Sequence, residues 1–106
     1  MYASIRRYRG EAAEMDELLH KVDTDFAQTI EEMDGFVAYE CVDGGDGTLC
    51  TISVFRDRAA AEASTEAAAA WIRAELSDYK IERLDVFTGE VSVSRARSEM
   101  LEPAHH

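Results

Sequence analysis

Apolar and polar positions alternate loosely over residues 2–9, YASIRRYR, with Tyr2, Ser4, Arg6 and Tyr8 on one side and Ala3, Ile5 and Arg7 on the other. Such alternation, rich in tyrosine and isoleucine, predicts a strand, and whichever face turns inward takes an arginine with it. After Gly10 the period changes. Met15, Leu18, Leu19, Val22, Phe26, Ile30 and Met33 recur at helical steps, which predicts one long amphipathic helix running to Met33. Glu11 and Glu14 place carboxylates where a helix N-terminus favours them. Glu17 and Lys21 stand one turn apart on its wet side, as do Asp16 and His20. Gly35 is expected to end the helix as a left-handed C′ residue, with Phe36 folding back on Ile30.

Residues 36–42, FVAYECV, and 49–55, LCTISVF, read as a second and a third strand joined through the glycine-rich loop Asp43 to Thr48, which predicts a hairpin. Two registers are open. With Gly45 and Asp46 at the centre of the turn, Cys41 stands opposite Cys50; with Asp46 and Gly47 there, Cys41 faces Ile52. Both registers put the two sulfurs on one sheet face. Residues 57–79 hold nine alanines and neither Gly nor Pro, so summed propensity predicts a helix, with Asp57 as its N-cap. Its sheet-facing stripe is read as Ala61, Thr65, Ala68, Ile72, Leu76 and Tyr79. Trp71 falls on a second stripe with Ala60, Ser64 and Ala67, aimed at the flank of the helix.

Residues 81–88 form a fourth predicted strand, Gly89 interrupts it, and residues 90–95, EVSVSR, alternate again as a C-terminal extension. The order is therefore β-α-β-β-α-β, an α+β ferredoxin-like plan with a four-stranded antiparallel sheet. Right-handed crossovers place both helices on one face. The strands also carry Tyr2, Tyr8, Phe36, Tyr39, Phe55 and Phe87, more apolar surface than one sheet face buries, and the economical cover for the other face is a second copy of the chain. Residues 1–97 make the domain. Residues 98–106 are a tail without pattern, and its closing His105-His106 can be an expression remnant.

Composition narrows the partners. A net charge of −11 over 106 residues argues against nucleic acid and anionic membranes, because phosphate binding needs a cationic surface. No stretch is apolar for the ~18 residues of a span, and no basic-then-apolar leader opens the chain, so a cytoplasmic protein is expected. Two cysteines without a leader imply free thiols. One internal histidine with scattered carboxylates offers no metal site at a recognisable spacing.

MYASIRRYRG, then GFVAYECVDGGDGTLCTISVF running into a D-R-A helix with a tryptophan in its later half, resembles the dimeric α+β barrel proteins of the antibiotic-biosynthesis-monooxygenase type from Met1 to about Arg97. The resemblance implies two ferredoxin-like subunits packed sheet to sheet, the C-terminal strand reaching onto the partner. Activities in that family include cofactor-independent oxygenation of polyketide-type aromatics and haem degradation. In the anthrone-oxidising branch the helix tryptophan works with an asparagine one turn earlier; Trp71 matches the first, but Ala67 stands at the second and the chain has no asparagine. Haem degradation needs an asparagine on the first strand and a histidine after the helix tryptophan. The first strand here offers Ser4, Ile5, Arg6 and Arg7, and no histidine lies between His20 and His105, which argues against that chemistry. The expected cofactor is none, and no residue is singled out as catalytic.

The candidate ligand-binding residues are Trp71, Tyr39, Ser64, Arg83 and Arg6. Trp71 can wall a pocket against a flat, apolar ligand, or simply pack on the sheet or across a dimer, which is the commoner use. Arg6, Arg7 and Arg83 can hold a ligand's enolate or carboxylate, or pair with Glu40 or Asp85. Tyr39 can donate to a substrate oxygen or sit in the core with its hydroxyl at the rim. Cys41 and Cys50 read as inert thiols, since no cationic neighbour in sequence lowers their pKa. Two functions follow: an enclosed site that oxidises a small aromatic with molecular oxygen, or a non-catalytic dimeric barrel whose aromatics are interface. An interior volume of roughly 300 Å³ with converging polar groups favours the first.

Overall fold

A computed structural model describes residues 1–97 and residue 100. Apart from residue 100, the tail 98–106 lies outside the described residues. Strands β1 (Tyr2–Arg9), β2 (Phe36–Asp43), β3 (Thr48–Phe55) and β4 (Glu82–Glu90) form one sheet in the order β2-β3-β1-β4, every adjacent pair antiparallel. Helices α1 (Met15–Lys21), α2 (Ala27–Glu31) and α3 (Arg58–Glu75) cover one face of it. This is the ferredoxin-like α+β plan that the alternation of periods predicts.

The long first helix is one arm with a change of winding inside. A 3-10 turn, Ala12–Glu14, leads into α1, and a π turn, Val22–Phe26, joins α1 to α2. The buried side chains explain the π turn. Leu18, Val22, Phe26 and Ile30 are all buried at strict four-residue steps, and each such step overshoots an α-helical turn by about 40°. A wider turn takes up the excess and keeps Val22 and Phe26 on the sheet side. The arm ends at Glu31 with Glu32 as cap, short of the predicted Met33. Gly35 is left-handed as expected, with φ of 82°, but it closes a turn in which the Phe36 N–H donates to the Met33 carbonyl. Past the end of α2, it caps no helix.

Helix α3 starts as its sequence predicts: the Asp57 carboxylate accepts the Ala60 N–H at 2.8 Å. It stops at Glu75, before the predicted Tyr79, with Leu76 as cap. Ala61, Ser64 and Ala68 are its buried positions, so the face on the sheet lies between the two predicted stripes and takes in Ser64. Two apolar clusters fill the layer beneath the helices, one around Tyr8, Leu18 and Leu76, the other around Phe26, Ile30 and Phe55. Burying a side chain of the size of Phe55 or Ile30 stabilises by about 1.5–3 kcal/mol. Tyr39 and Trp71 pack against both clusters.

The hairpin follows neither predicted register. Cys41 pairs with Thr51 and Val42 with Cys50, because the loop Gly45-Asp46-Gly47 has three residues and both its glycines adopt positive φ. Asp43 and Asp46 accept N–H groups from Gly45 and Thr48, fixing that loop. An odd loop reverses the parity of one strand, so Cys41 lies on the helix side and Cys50 on the open side. The expectation that both sulfurs share a face is corrected. At the far end, strand β4 runs through Gly89, while residues 91–97 form no strand within the chain; the Val91 N–H donates to the Met1 carbonyl and Val93 is 80% exposed. The C-terminal strand extension is therefore not formed in the single chain.

Arginine placement is settled by the register. Ser4, Arg6 and Tyr8 point to the helices and are buried, whereas Arg7 points away, forking onto the Asp85 carboxylate. Of the strand aromatics, Tyr8, Tyr39 and Phe55 belong to the helix-side clusters, with Tyr2 and Phe36 packed against them. Phe87 alone stands out, 68% exposed. The reading that all the aromatics are interface is corrected on this point.

Candidate functional site

The helix-to-sheet layer has a polar centre where its two apolar clusters meet. Ser4 and Ser53 are cross-strand partners, as are Arg6 and Thr51, and all four are buried. Arg6 is fully buried, and its guanidinium donates through Nη1 to Ser4 Oγ at 3.0 Å and through Nη2 to Ser53 Oγ at 2.9 Å. Ser4 Oγ is hydrogen-bonded in turn to Thr65 Oγ1 of α3 at 2.5 Å. Among the described residues two buried side-chain polar atoms have no hydrogen-bond partner, Arg6 Nε and Thr51 Oγ1. Arginine stays charged in proteins, and a buried charge is normally matched by an opposite one. Here every partner is a neutral hydroxyl, so the expected pairing of Arg6 with Glu40 or Asp85 does not occur.

Arg6 and Thr51 line a small, half-open cavity of about 20 Å³ whose other walls include Tyr8, Tyr39, Trp71 and Ile72. Trp71 forms its outer wall. The indole N–H donates to Asp25 Oδ2 at 2.9 Å, and the ring lies 5.4 Å from that of Phe26, tilted by 42°. Asp25 belongs to the π turn, so the change of winding in the first arm sets the position of the tryptophan. Tyr39 meets Phe26 edge-on at 5.7 Å. Burial pushes the Tyr39 phenol well above its ordinary pKa, with a smaller contribution from Cys41, so it stands in the wall as a protonated hydroxyl.

Open grooves flank the cavity. One of about 220 Å³ is lined by Tyr8, Ala69, Ile72, Ile81 and Arg83, sharing Tyr8, Ile72 and Ile81 with the cavity wall. Another, of about 340 Å³, lies beyond Tyr39 and Val22 beside Cys41. The structure thus brings Arg6, Tyr39 and Trp71 together around one cavity, leaves Arg83 exposed in the outer groove, and keeps Ser64 out of the lining. Ser64 Oγ donates to the Ala61 carbonyl at 2.6 Å within its own helix. Thr51 and Asp25 were missed by sequence reasoning. Only the β1/β3 register sets Thr51 against Arg6, and Asp25 reads as one more wet helix carboxylate until the fold carries it to Trp71.

Among the described residues no group of three or more His, Cys, Asp or Glu converges as a metal site, and no helix is long and apolar enough to cross a membrane. The fold defines the class as a ferredoxin-like α+β domain with a small cavity between helices and sheet. The chain belongs to the antibiotic biosynthesis monooxygenase family, whose profile matches residues 1–73. No curated protein matches it significantly. Solved structures share its fold at low identity. A dimeric ferredoxin-like protein from an uncultured marine organism is 10% identical, with a TM-score of 0.67 over 92% of this chain and 100% of that one. The monooxygenase ActVA-Orf6 of Streptomyces coelicolor, in complex with nanaomycin D, is 14% identical, with a TM-score of 0.63 over 90% and 92%. The haem degrader MhuD of Mycobacterium tuberculosis, with two haems bound, is 15% identical, with a TM-score of 0.68 over 91% and 100%.

Proposed function

We propose that the protein is a cofactor-independent oxygenase that encloses a small aromatic or polyketide-type substrate under Trp71 and oxidises it with molecular oxygen. The observation that carries this reading is the narrow, half-open cavity between the helices and the sheet, walled by Tyr8, Tyr39, Trp71 and Ile72 around one buried guanidinium. Family membership supports it, as does ActVA-Orf6, a monooxygenase of the same fold that holds nanaomycin D. In such chemistry the substrate supplies its own electrons. An activated methylene loses a proton to solvent at the open side of the cavity to give an enolate, which passes one electron to oxygen; radical recombination gives a peroxide anion that takes a proton back, and loss of water leaves a carbonyl. The sum is CH2 plus O2 giving C=O plus H2O. The cavity wall holds no carboxylate and no imidazole, so this chain's contribution is to exclude water and to favour the substrate anion beside Arg6.

The cavity of about 20 Å³ has room for a water-sized group only, far below the roughly 300 Å³ of a typical ligand pocket. A ring therefore needs the outer groove or an outward swing of Trp71. The same volume favours a second reading, a non-catalytic homodimeric ligand carrier or accessory barrel. In both readings the open sheet face, with Ile5, Ile52, Val54 and Phe87, supports a homodimer. Oxygen-electrode measurements with anthrone and quinol substrates test catalysis: uptake faster with protein than without it, and slowed by Trp71→Ala, is expected. Equal rates with and without protein reject the oxygenase and leave the carrier.

A further inference from the structure

We infer that the ligand binds as an organic anion, its negative oxygen seated on Arg6 and Thr51 and its apolar body lying outward over Ala69, Ile72 and Ile81. This rests on the ligand role proposed for the cavity and names the class of molecule. Arg6 is fully buried, yet among the described residues its only polar partners are the neutral hydroxyls of Ser4 and Ser53. Among the described residues the one ion pair is Arg7 with Asp85, on the other side of the sheet. A permanently charged guanidinium without a carboxylate in the interior is an arrangement that a bound anion completes. The same wall offers two donors with nothing to donate to, Arg6 Nε and the Thr51 hydroxyl, and the β1/β3 register sets these residues directly opposite each other. Both line the small half-open cavity.

Space then selects the pose. About 20 Å³ accepts a carboxylate or phenolate oxygen, not a ring. The groove of about 220 Å³ shares the walls Tyr8, Ile72 and Ile81 with the cavity, and the small Ala69 side chain leaves room for a flat body there. An acidic protein of net charge −11 has no long-range attraction for anions, so their selection falls to this buried cation.

Titration calorimetry of the full chain in chloride-free buffer, with 2-naphthoate and its neutral isostere 2-naphthamide, tests the inference. The naphthoate is expected to bind about tenfold or more tighter than the amide. Arg6→Gln removes that preference, and Thr51→Val weakens the naphthoate while keeping it. Should Arg6→Gln fail to fold, the wild-type preference and Thr51→Val carry the test. Equal affinity for acid and amide, undiminished naphthoate binding by folded Arg6→Gln, or chloride binding as tightly as naphthoate overturns the inference. Oxygen uptake is read separately. Naphthoate binding without any oxygen chemistry leaves the anion site standing and removes the oxygenase, whereas uptake with neutral substrates, undiminished in Arg6→Gln, does the reverse.

Discussion

Arg6 and Arg7 are neighbours in the chain and share no environment. Arg7 lies in solvent, where its fork onto Asp85 raises its own pKa and lowers that of the carboxyl, an exposed pair of small consequence for stability. Arg6 is sealed under the helices among hydroxyls. The alternation in β1 puts an arginine on each face, and choosing between them takes the helices, so the sequence leaves both open. Cys41 shows the same dependence on placement. Burial pushes its thiol up from 9.0 to about 11, against a lowering hydrogen bond with Tyr39. An unfolded thiol ionises first, so this contribution to stability is complete below pH 9 and is lost as the pH rises to 11. Denaturant midpoints measured from pH 7 to 10.5 are expected to fall on the alkaline side, and Cys41→Ala to flatten part of that fall. An identical slope in the variant contradicts the assignment.

At the scale of elements, the parts written in short-range code were legible. Asp57 caps α3 as its side-chain chemistry requires, and the helical and strand periods locate both helical arms and all four strands. The hairpin register was not legible, because three glycines among six loop residues permit several turn lengths and one residue more reverses every side chain on β2. The π turn was half written. Its trace is the run of four-residue steps from Leu18 to Ile30, which a single amphipathic stripe conceals. That turn has a role at the site, since it presents Asp25 to the Trp71 indole. Asp25→Ala removes this hydrogen bond at an expected loss of about 1 kcal/mol in unfolding free energy, with tryptophan emission shifted to the red. Unchanged emission and stability would show that Phe26 packing alone holds the ring.

Across the whole molecule the two sheet faces have separate tasks. The helix side holds the candidate site, and the open side carries Ile5, Ile52, Val54 and the exposed Phe87, while residues 91–97 form no strand. Sedimentation equilibrium at micromolar concentration is expected to give a dimer that Phe87→Glu weakens. A wild-type monomer in that range contradicts the pairing but leaves the site intact, because Arg6 lies beneath the helices and Trp71 on α3 of the same chain. The site's location was only partly legible: Trp71, Tyr39 and Arg6 are visible as candidates, yet Thr51 and Asp25 join them only through long-range packing. The most direct test of the account is nuclear magnetic resonance of the 15N-labelled protein titrated with 2-naphthoate. The account predicts that the Trp71 indole N–H and the Arg6 Nε–H shift together and saturate at one equivalent per chain, whereas shifts confined to Ile5, Ile52 and Phe87 on the open face would contradict it.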